Sequence, residues 1–338
     1  MKKHLLIPVV ILFLCNSCEK MYFQKNAIDP HYIFETFWNE TDRNYSFFDY
    51  LNLDWDSVRT VYERKINENT STKDLSDMLG QMIVLLKDGH SDLYTEFGTY
   101  YYSGWFNKYP LNQLPAIRQY FSNYSSFDNN IYYGKLLAAN IGYIYIKSFE
   151  GDSEQFAQID TILAGFASTD GLIIDVRSNG GGNTSNGTII SKRFADSVRF
   201  ICKDRYRNGP GHDDFTPWFN RYTKPGGRVK YKKPVAILTN RLCYSATSYF
   251  LLEMSVLPQV VTIGDTTGGG SAQPITRELP NGWIVRVSNS QRLTPEGRDY
   301  QFTGLYPDIP VWISANDLRK GRDTILERAI AELRKAVQ

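Results

Sequence analysis

The sequence predicts an α/β protein, with a helical N-terminal part followed by helices layered on a mostly parallel sheet. Three observations carry that prediction. From Ile141 onward, short apolar runs alternate with segments of helical period, the pattern of strands and crossover helices. Before them, Leu75, Met78, Leu79, Met82, Ile83 and Leu86 repeat at i, i+3, i+4 and i+7, one buried face of a helix. Finally, two stretches each follow a strand-like apolar run and open a helix-like segment: Asp175-Val176-Arg177-Ser178-Asn179-Gly180-Gly181-Gly182 and Cys243-Tyr244-Ser245-Ala246-Thr247-Ser248. A chain of 338 residues is long enough for one large domain and a smaller one.

Taken in order, the chain opens with Lys2-Lys3 and an apolar run, Leu5 to Leu14, too short to span a membrane. Ser17-Cys18 then resembles a bacterial lipoprotein cleavage site, although Cys15 stands where leucine is usual. Residues 1–18 are therefore expected to be a lipoprotein-type signal peptide, with Cys18 lipidated and the protein exported and anchored in the cell envelope; the alternative is an ordinary secretory signal. Residues 27–95 form the expected helical domain. In it, Phe34, Phe37 and Trp38 lie at helical spacing, and Ser71 with Asp74 makes a capping box for the helix that carries the stripe. That helix should end at Lys87-Asp88-Gly89, with the glycine as its C-terminal cap. Residues 96–135, rich in Tyr, Ser and Asn, are expected to be an irregular connector without a PDZ pattern.

Residues 136–338 make up the core. Ile141–Ile146, Leu172–Ile174, Val235–Thr239 and Val260–Ile263 read as strands, and Ser153–Phe166, Thr184–Phe194 and Ser245–Val256 as helices. Residues 275–288 read as a hairpin turning at Pro280-Asn281-Gly282, and Asp317–Val337 as a terminal amphipathic helix. Arg205–Gly227 is rich in turn residues and is expected to be a surface loop.

Composition narrows the function classes. With 38 basic and 36 acidic residues, the chain has no field to draw nucleic acid. Past Cys18, only Cys202 and Cys243 remain; in an exported protein they could pair, or stay as buried thiols. The glycine run lacks Gly-Lys-Ser/Thr and the dinucleotide spacing, which disfavours a P-loop or a nicotinamide site.

A serine at a helix start can be a cap or a nucleophile. At Ser245 the helix dipole and the free N–H of Ala246 would favour an oxyanion product. The glycine run offers unobstructed N–H groups for the same oxyanion, and Asp175 and Arg177 could pair to hold its turn. A serine nucleophile needs a base. Of the four histidines, His4 lies in the signal, His31 near the mature start and His212 in the loop, whereas His90 follows a helix end between Asp88 and Asp92, which could orient it.

The ordered motifs Asp175–Gly182, Ser245-Ala246, Gly264-Asp265-Thr266-Thr267-Gly268 and Gly304-Leu305-Tyr306-Pro307-Asp308-Ile309, preceded by Lys87-Asp88-Gly89-His90-Ser91, resemble the C-terminal processing peptidases (tail-specific proteases), in particular the tricorn-core branch. The resemblance covers about Ile141 to Val311 and implies a spiral α/β core shared with Clp and crotonase-like proteins. It also implies a serine peptidase acting on peptides or proteins without metal or cofactor. By the same resemblance Ser245 is the nucleophile, His90 the general base, and the backbone N–H groups of Gly181 and Ala246, with Gly182 close by, the oxyanion hole. The lysine base of the processing peptidases proper falls on Gly270, which excludes a Ser/Lys dyad. The glutamate that orients the histidine in the tricorn branch falls on Gln301, while Glu296 and Asp299 are off register. An amide can hold an imidazole but cannot stabilise its cation, and replacing an orienting acid by an amide can cost about 10⁴ in rate. Two rival readings follow: a catalytically weak or inactive peptide- or lipid-binding protein on the same scaffold, and an acyl-CoA or phosphate site at the glycine turn, which the serine after Val235–Thr239 argues against.

Overall fold

The structure, a computed structural model, describes residues 29–104, 112, 117–127 and 129–337. The expected signal peptide and Cys18 lie outside the described residues. Helices α1 (Pro30–Asn44), α2 (Phe48–Leu51), α3 (Trp55–Glu63) and α4 (Thr72–Leu85) come first, then strands β1 (Asp92–Thr95) and β2 (Gly98–Tyr101). Next come β3 (Phe121–Ser126), β4 (Ile131–Leu136), β5 (Ile141–Ile146), short helices α5 (Ser153–Ala157) and α6 (Ile159–Gly165), β6 (Gly171–Asp175) and α7 (Thr184–Ser191). Strands β7 (Arg199–Tyr206), β8 (Phe219–Thr223) and β9 (Val235–Thr239) precede α8 (Ala246–Ser255) and β10 (Val260–Gly264). The chain closes with β11 (Pro274–Glu278), β12 (Ile284–Ser288), β13 (Ser290–Leu293), β14 (Ile309–Pro310), α9 (Ala315–Arg319) and α10 (Thr324–Val337).

Contacts divide the chain into two compact units, and the division is not a single cut. Of the described residues, the first takes 29–103 together with Tyr206–Thr216 and Gln273–Ser290, and the second takes the rest. In the first unit the expected capping box forms, with Ser71 accepting from the Asp74 N–H and bonding its carboxylate. Leu75, Leu79, Met82 and Ile83 are buried as the stripe requires. The helix stops earlier than expected: Lys87, at φ 49°, takes the left-handed conformation assigned to Gly89. The hairpin β11–β12 forms with Ile275 opposite Val287 and Gly282 at φ 84° in its turn. It joins a four-stranded sheet in the order β11-β12-β1-β2, with Asp92 opposite Arg286 and Leu93 opposite Val285.

The second unit is built on a seven-stranded sheet in the order β14-β10-β9-β6-β5-β4-β3. From β14 to β5 the pairs are parallel, and β4 and β3 add antiparallel. Strands β6 and β9 are buried along their whole length, which is why they read as unbroken apolar runs. One face packs Phe149, Phe156, Leu163, Ile190, Phe250 and Met254; the other packs Ile325, Leu326, Ile330 and Leu333 of α10.

Four local expectations change. The stretch expected to be an irregular connector carries β2, β3 and most of β4, whose exposed faces are polar and so lack a strong alternation. Ser153–Phe166 is two short helices rather than one. The Arg205–Gly227 loop contains β8, paired with β7. The terminal helix is broken at Gly321, φ 67°, with Asp323 starting α10 afresh. Cys202 and Cys243 are buried and unpaired, in separate clusters.

Candidate active site

Both turns singled out in the sequence lie in the second unit, and they meet. Strand β9 delivers the chain through Asn240–Tyr244 to Ser245, which stands at φ 57°, ψ −118° immediately before α8. Its side chain does not cap the helix, so the capping role is not the one it fills. The Ser245 N–H donates to the Gly269 carbonyl at 3.2 Å, and Ala246, as the first helical residue, has no intrahelical acceptor for its own N–H. A residue with a side chain at this φ is strained, and this half-buried serine sits on a sharp strand-to-helix turn like that of a nucleophile elbow.

Strand β6 delivers the glycine turn. Gly181, at φ 109°, comes so close to the serine loop that an added Cβ would lie 2.8 Å from Ser245 Cβ and 3.0 Å from the Ala246 nitrogen. Gly182, at φ 129°, is pressed equally against the backbone of Phe149 and Glu150. Glycine is required at both positions by space as well as by φ. The Gly181 N–H donates to Asn179 Oδ1 at 2.9 Å, and the Gly181 carbonyl accepts from the Phe149 N–H at 2.8 Å.

The expected Asp175–Arg177 pair forms, and it has a third member. Arg177 is fully buried between Asp175 (Nη2 to Oδ2, 2.6 Å) and Asp323 (Nη2 to Oδ2, 2.7 Å; Nη1 to Oδ1, 3.1 Å). Tyr143 donates its phenol to Asp175 at 2.7 Å, and burial together with that carboxylate holds its pKa well above the usual tyrosine range. Asp323 also accepts from the N–H groups of Ile325 and Leu326, so the start of α10 is bolted beneath the glycine turn. The sequence offered no signal for Asp323, which is 146 residues from its partner.

At Gly270, where the family resemblance would put a lysine, the backbone leaves no room for a side chain. At φ 71°, a Cβ on it would lie 2.6 Å from the Tyr244 ring and 2.9 Å from the Ser245 nitrogen. Gln301 is buried, and its Oε1 accepts from Ser271 Oγ at 3.0 Å and from the Ala272 N–H at 2.8 Å. A backbone N–H can only donate, so this contact fixes which end of the amide is oxygen. Asp299 holds the Gln301 backbone N–H at 2.7 Å, and Glu296 is exposed.

His90 belongs to the first unit, between α4 and β1, and is buried. Its backbone N–H donates to Asp88 Oδ1 at 2.8 Å, while Asp92 pairs with Arg286 across the strand register. The other described histidines have different settings. His212 stacks on Phe48 with Nε2 2.8 Å from Asp42 Oδ1, and His31 is exposed in the first turn of α1. Burial pushes the Cys243 thiol up to about 12 and the Cys202 thiol to about 12, which removes both as nucleophiles at neutral pH. Among the described residues, no group of three or more His, Cys, Asp or Glu side chains could hold a metal ion. No helix of the described residues is long and apolar enough to cross a membrane.

A parallel-sheet core that sets an uncapped, strained serine against a glycine turn defines a serine-hydrolase type of scaffold. The model of peptidase family S41 matches residues 140–311, and that of the tricorn protease C1 domain matches residues 28–84. The chain belongs to peptidase family S41, a family of serine-type peptidases. It is 27% identical over 179 residues to the carboxy-terminal processing protease CtpA of Bacillus subtilis, a match covering 52% of this chain and 36% of that protein. The crystal structure of a putative peptidase from Parabacteroides merdae superposes with a TM-score of 0.81 at 38% identity, over 90% of this chain and 96% of that one. Mature CPAF shares the fold at 14% identity, with a TM-score of 0.68 over 92% of this chain and 97% of that one.

Proposed function

We propose that this protein hydrolyses peptide bonds in peptide or protein substrates, with Ser245 as the nucleophile, His90 as the general base and backbone N–H groups of the Gly181–Gly182 turn and Ala246 as the oxyanion hole. The observation that carries the reading is the conformation of Ser245: a strained serine at a helix start that does not cap it, with the glycine turn packed against its Cβ. In the reaction, Ser245 Oγ bonds to the substrate carbonyl carbon as His90 takes its proton. The carbonyl becomes an oxyanion facing the Ala246 N–H and the glycine turn. His90 returns the proton to the departing amine, and a water repeats the sequence on the acyl-enzyme. The Gly181 N–H already has an acceptor in Asn179 Oδ1, so a substrate oxygen has to compete for it, whereas the helix-terminal Ala246 N–H has no such rival.

Gln301 supports a second reading, a slow or non-catalytic peptide- or lipid-binding protein. Its oxygen accepts from Ser271 and Ala272, and its other polar atom is an amide nitrogen, which can only donate. Where a carboxylate would accept from an imidazole, such a group would donate to it and select the tautomer that cannot take the serine proton. Cleavage by the purified wild-type protein removes this reading.

The localisation follows from the leader: Cys18 lipidated and the protein held at a membrane of the envelope. Metabolic labelling with a radioactive fatty acid, lost on Cys18→Ser, tests it. For the chemistry, a fluorophosphonate probe should label the wild type and leave Ser245→Ala unlabelled; labelling of the variant rejects Ser245 as nucleophile. His90→Ala should lose at least about 10³-fold in hydrolysis, on the scale of removing a triad member.

A further inference from the structure

Two of the four described non-glycine residues at positive φ, Asn52 and Lys87, follow helix ends, where the left-handed conformation is ordinary. The other two, Ser178 at 64° and Ser245 at 57°, lie in the glycine turn and the serine loop. Such backbone is strained and persists only where the surroundings over-determine it. One side chain holds both segments.

Asn240, at the end of β9, is 2% exposed. Its Oδ1 accepts from the Ser178 N–H at 2.8 Å and from the Leu242 N–H at 3.1 Å. Its Nδ2 donates to Ser178 Oγ at 3.2 Å and to the Asn112 carbonyl at 3.2 Å. Cys243 Sγ also approaches Asn240 Oδ1 at 3.7 Å, so both hydrogens and both lone pairs of the carboxamide are engaged. No other side chain of this size carries both a two-fold acceptor and two donors in one plane, so the position is specific for asparagine. Around it the two segments are laced by backbone and thiol: the Tyr244 N–H donates to the Asn179 carbonyl at 3.1 Å, and Cys243 Sγ lies 3.0 Å from the Val176 carbonyl. Asn112 extends the lacing, its Oδ1 accepting from the Ile313 N–H at 2.9 Å.

We infer that Asn240 is a positioning residue for the peptidase reaction, holding the glycine turn and the serine loop in register so that the oxyanion donors face the carbonyl that Ser245 attacks. The inference rests on Ser245 as the nucleophile. Asn240 does not touch the reacting atoms; it acts through Ser178 on one side and through Leu242 and the loop leading to Ser245 on the other. Loss of such a register that displaces the donors by about 1 Å is enough to cost about 10²-fold in the chemical step while leaving probe binding unchanged.

The test is the kinetics of fluorophosphonate labelling of the full-length protein, resolved into a maximal rate and an apparent probe affinity. Asn240→Ala should lower the maximal rate about 100-fold with little change in affinity. Asn240→Asp, which keeps the shape and the Oδ1 acceptor but loses both Nδ2 donations, stands in if the alanine variant does not fold and should lower the rate by at least about tenfold. Leu333→Ala, in the core far along α10, should lower the melting temperature without slowing labelling by the folded protein. Rates for both Asn240 variants that match the wild type, or that fall no further than that of Leu333→Ala, overturn the inference. Labelling of Ser245→Ala overturns the assignment on which it rests, a separate outcome.

Discussion

At Gln301, the proposed mechanism turns on one atom. The Ala272 N–H and Ser271 hydroxyl claim its oxygen, and a carboxylate at the same place would keep both bonds and add a second acceptor. Gln301→Glu is therefore expected to raise the rate of peptide hydrolysis by at least about tenfold, up to the ~10⁴ that separates acid from amide in comparable triads. A fluorogenic protein substrate assayed with both forms measures it, and a variant no faster than wild type would show that Gln301 does not limit the base. Ser245 was legible as a functional candidate from its place after an apolar run. Its positive φ was not, because left-handed serine has no sequence signature. The same holds for Asn240, one polar residue in a loop, whose partners Ser178, Leu242 and Asn112 are brought together only by the fold.

Among the elements, α7 and α8 follow directly from the glycine turn and the serine, and a single buried carboxylate joins them. Glu253 on α8 accepts from Thr188 Oγ1 and Ser191 Oγ on α7, each at 2.8 Å, and burial pushes its pKa up to about 7. The groups of opposite charge that act on it, Lys192 and Arg292, only partly offset the burial. A folded pKa above the unfolded value near 4.5 means that the native state binds the extra proton. The stability this group contributes is present below pH 4.5 and is lost as pH rises through about 7. Glu253→Gln, which keeps the acceptor without the charge, should flatten that fall, and melting temperatures from pH 5 to 8 measure it. The terminal helix α10 is tied in by Asp323, whose removal leaves Arg177 with one carboxylate in a fully buried site. Asp323→Ala is expected to cost about 3–5 kcal/mol of unfolding free energy in urea titration, the scale for breaking a buried ion network from one side. The capping box at Ser71 and the hairpin at Gly282 were readable because both are local, closed within a few residues. The break at Gly321 was not, since the amphipathic pattern runs across it.

For the molecule as a whole, the sequence by itself determined the class and the order of parts. Short apolar runs at β6 and β9 read as buried strands, strand–helix alternation implies a parallel sheet, and the motifs from Asp175 to Ile309 point to the peptidase family. These properties are written in local hydrophobicity and spacing, which survive without knowledge of partners. Tertiary structure alone decided which pieces share a unit and what the site is made of. Residues 206–216 and 273–290 cluster with the N-terminal helices, because β12 finds its partner in β1, with Arg286 meeting Asp92 across 194 residues of sequence. Asp323 reaches Arg177, and Asn240 reaches Ser178, in the same way. A buried charge or amide is stable only when its complement arrives from elsewhere in the fold, and one sequence carries no mark of which residue that will be.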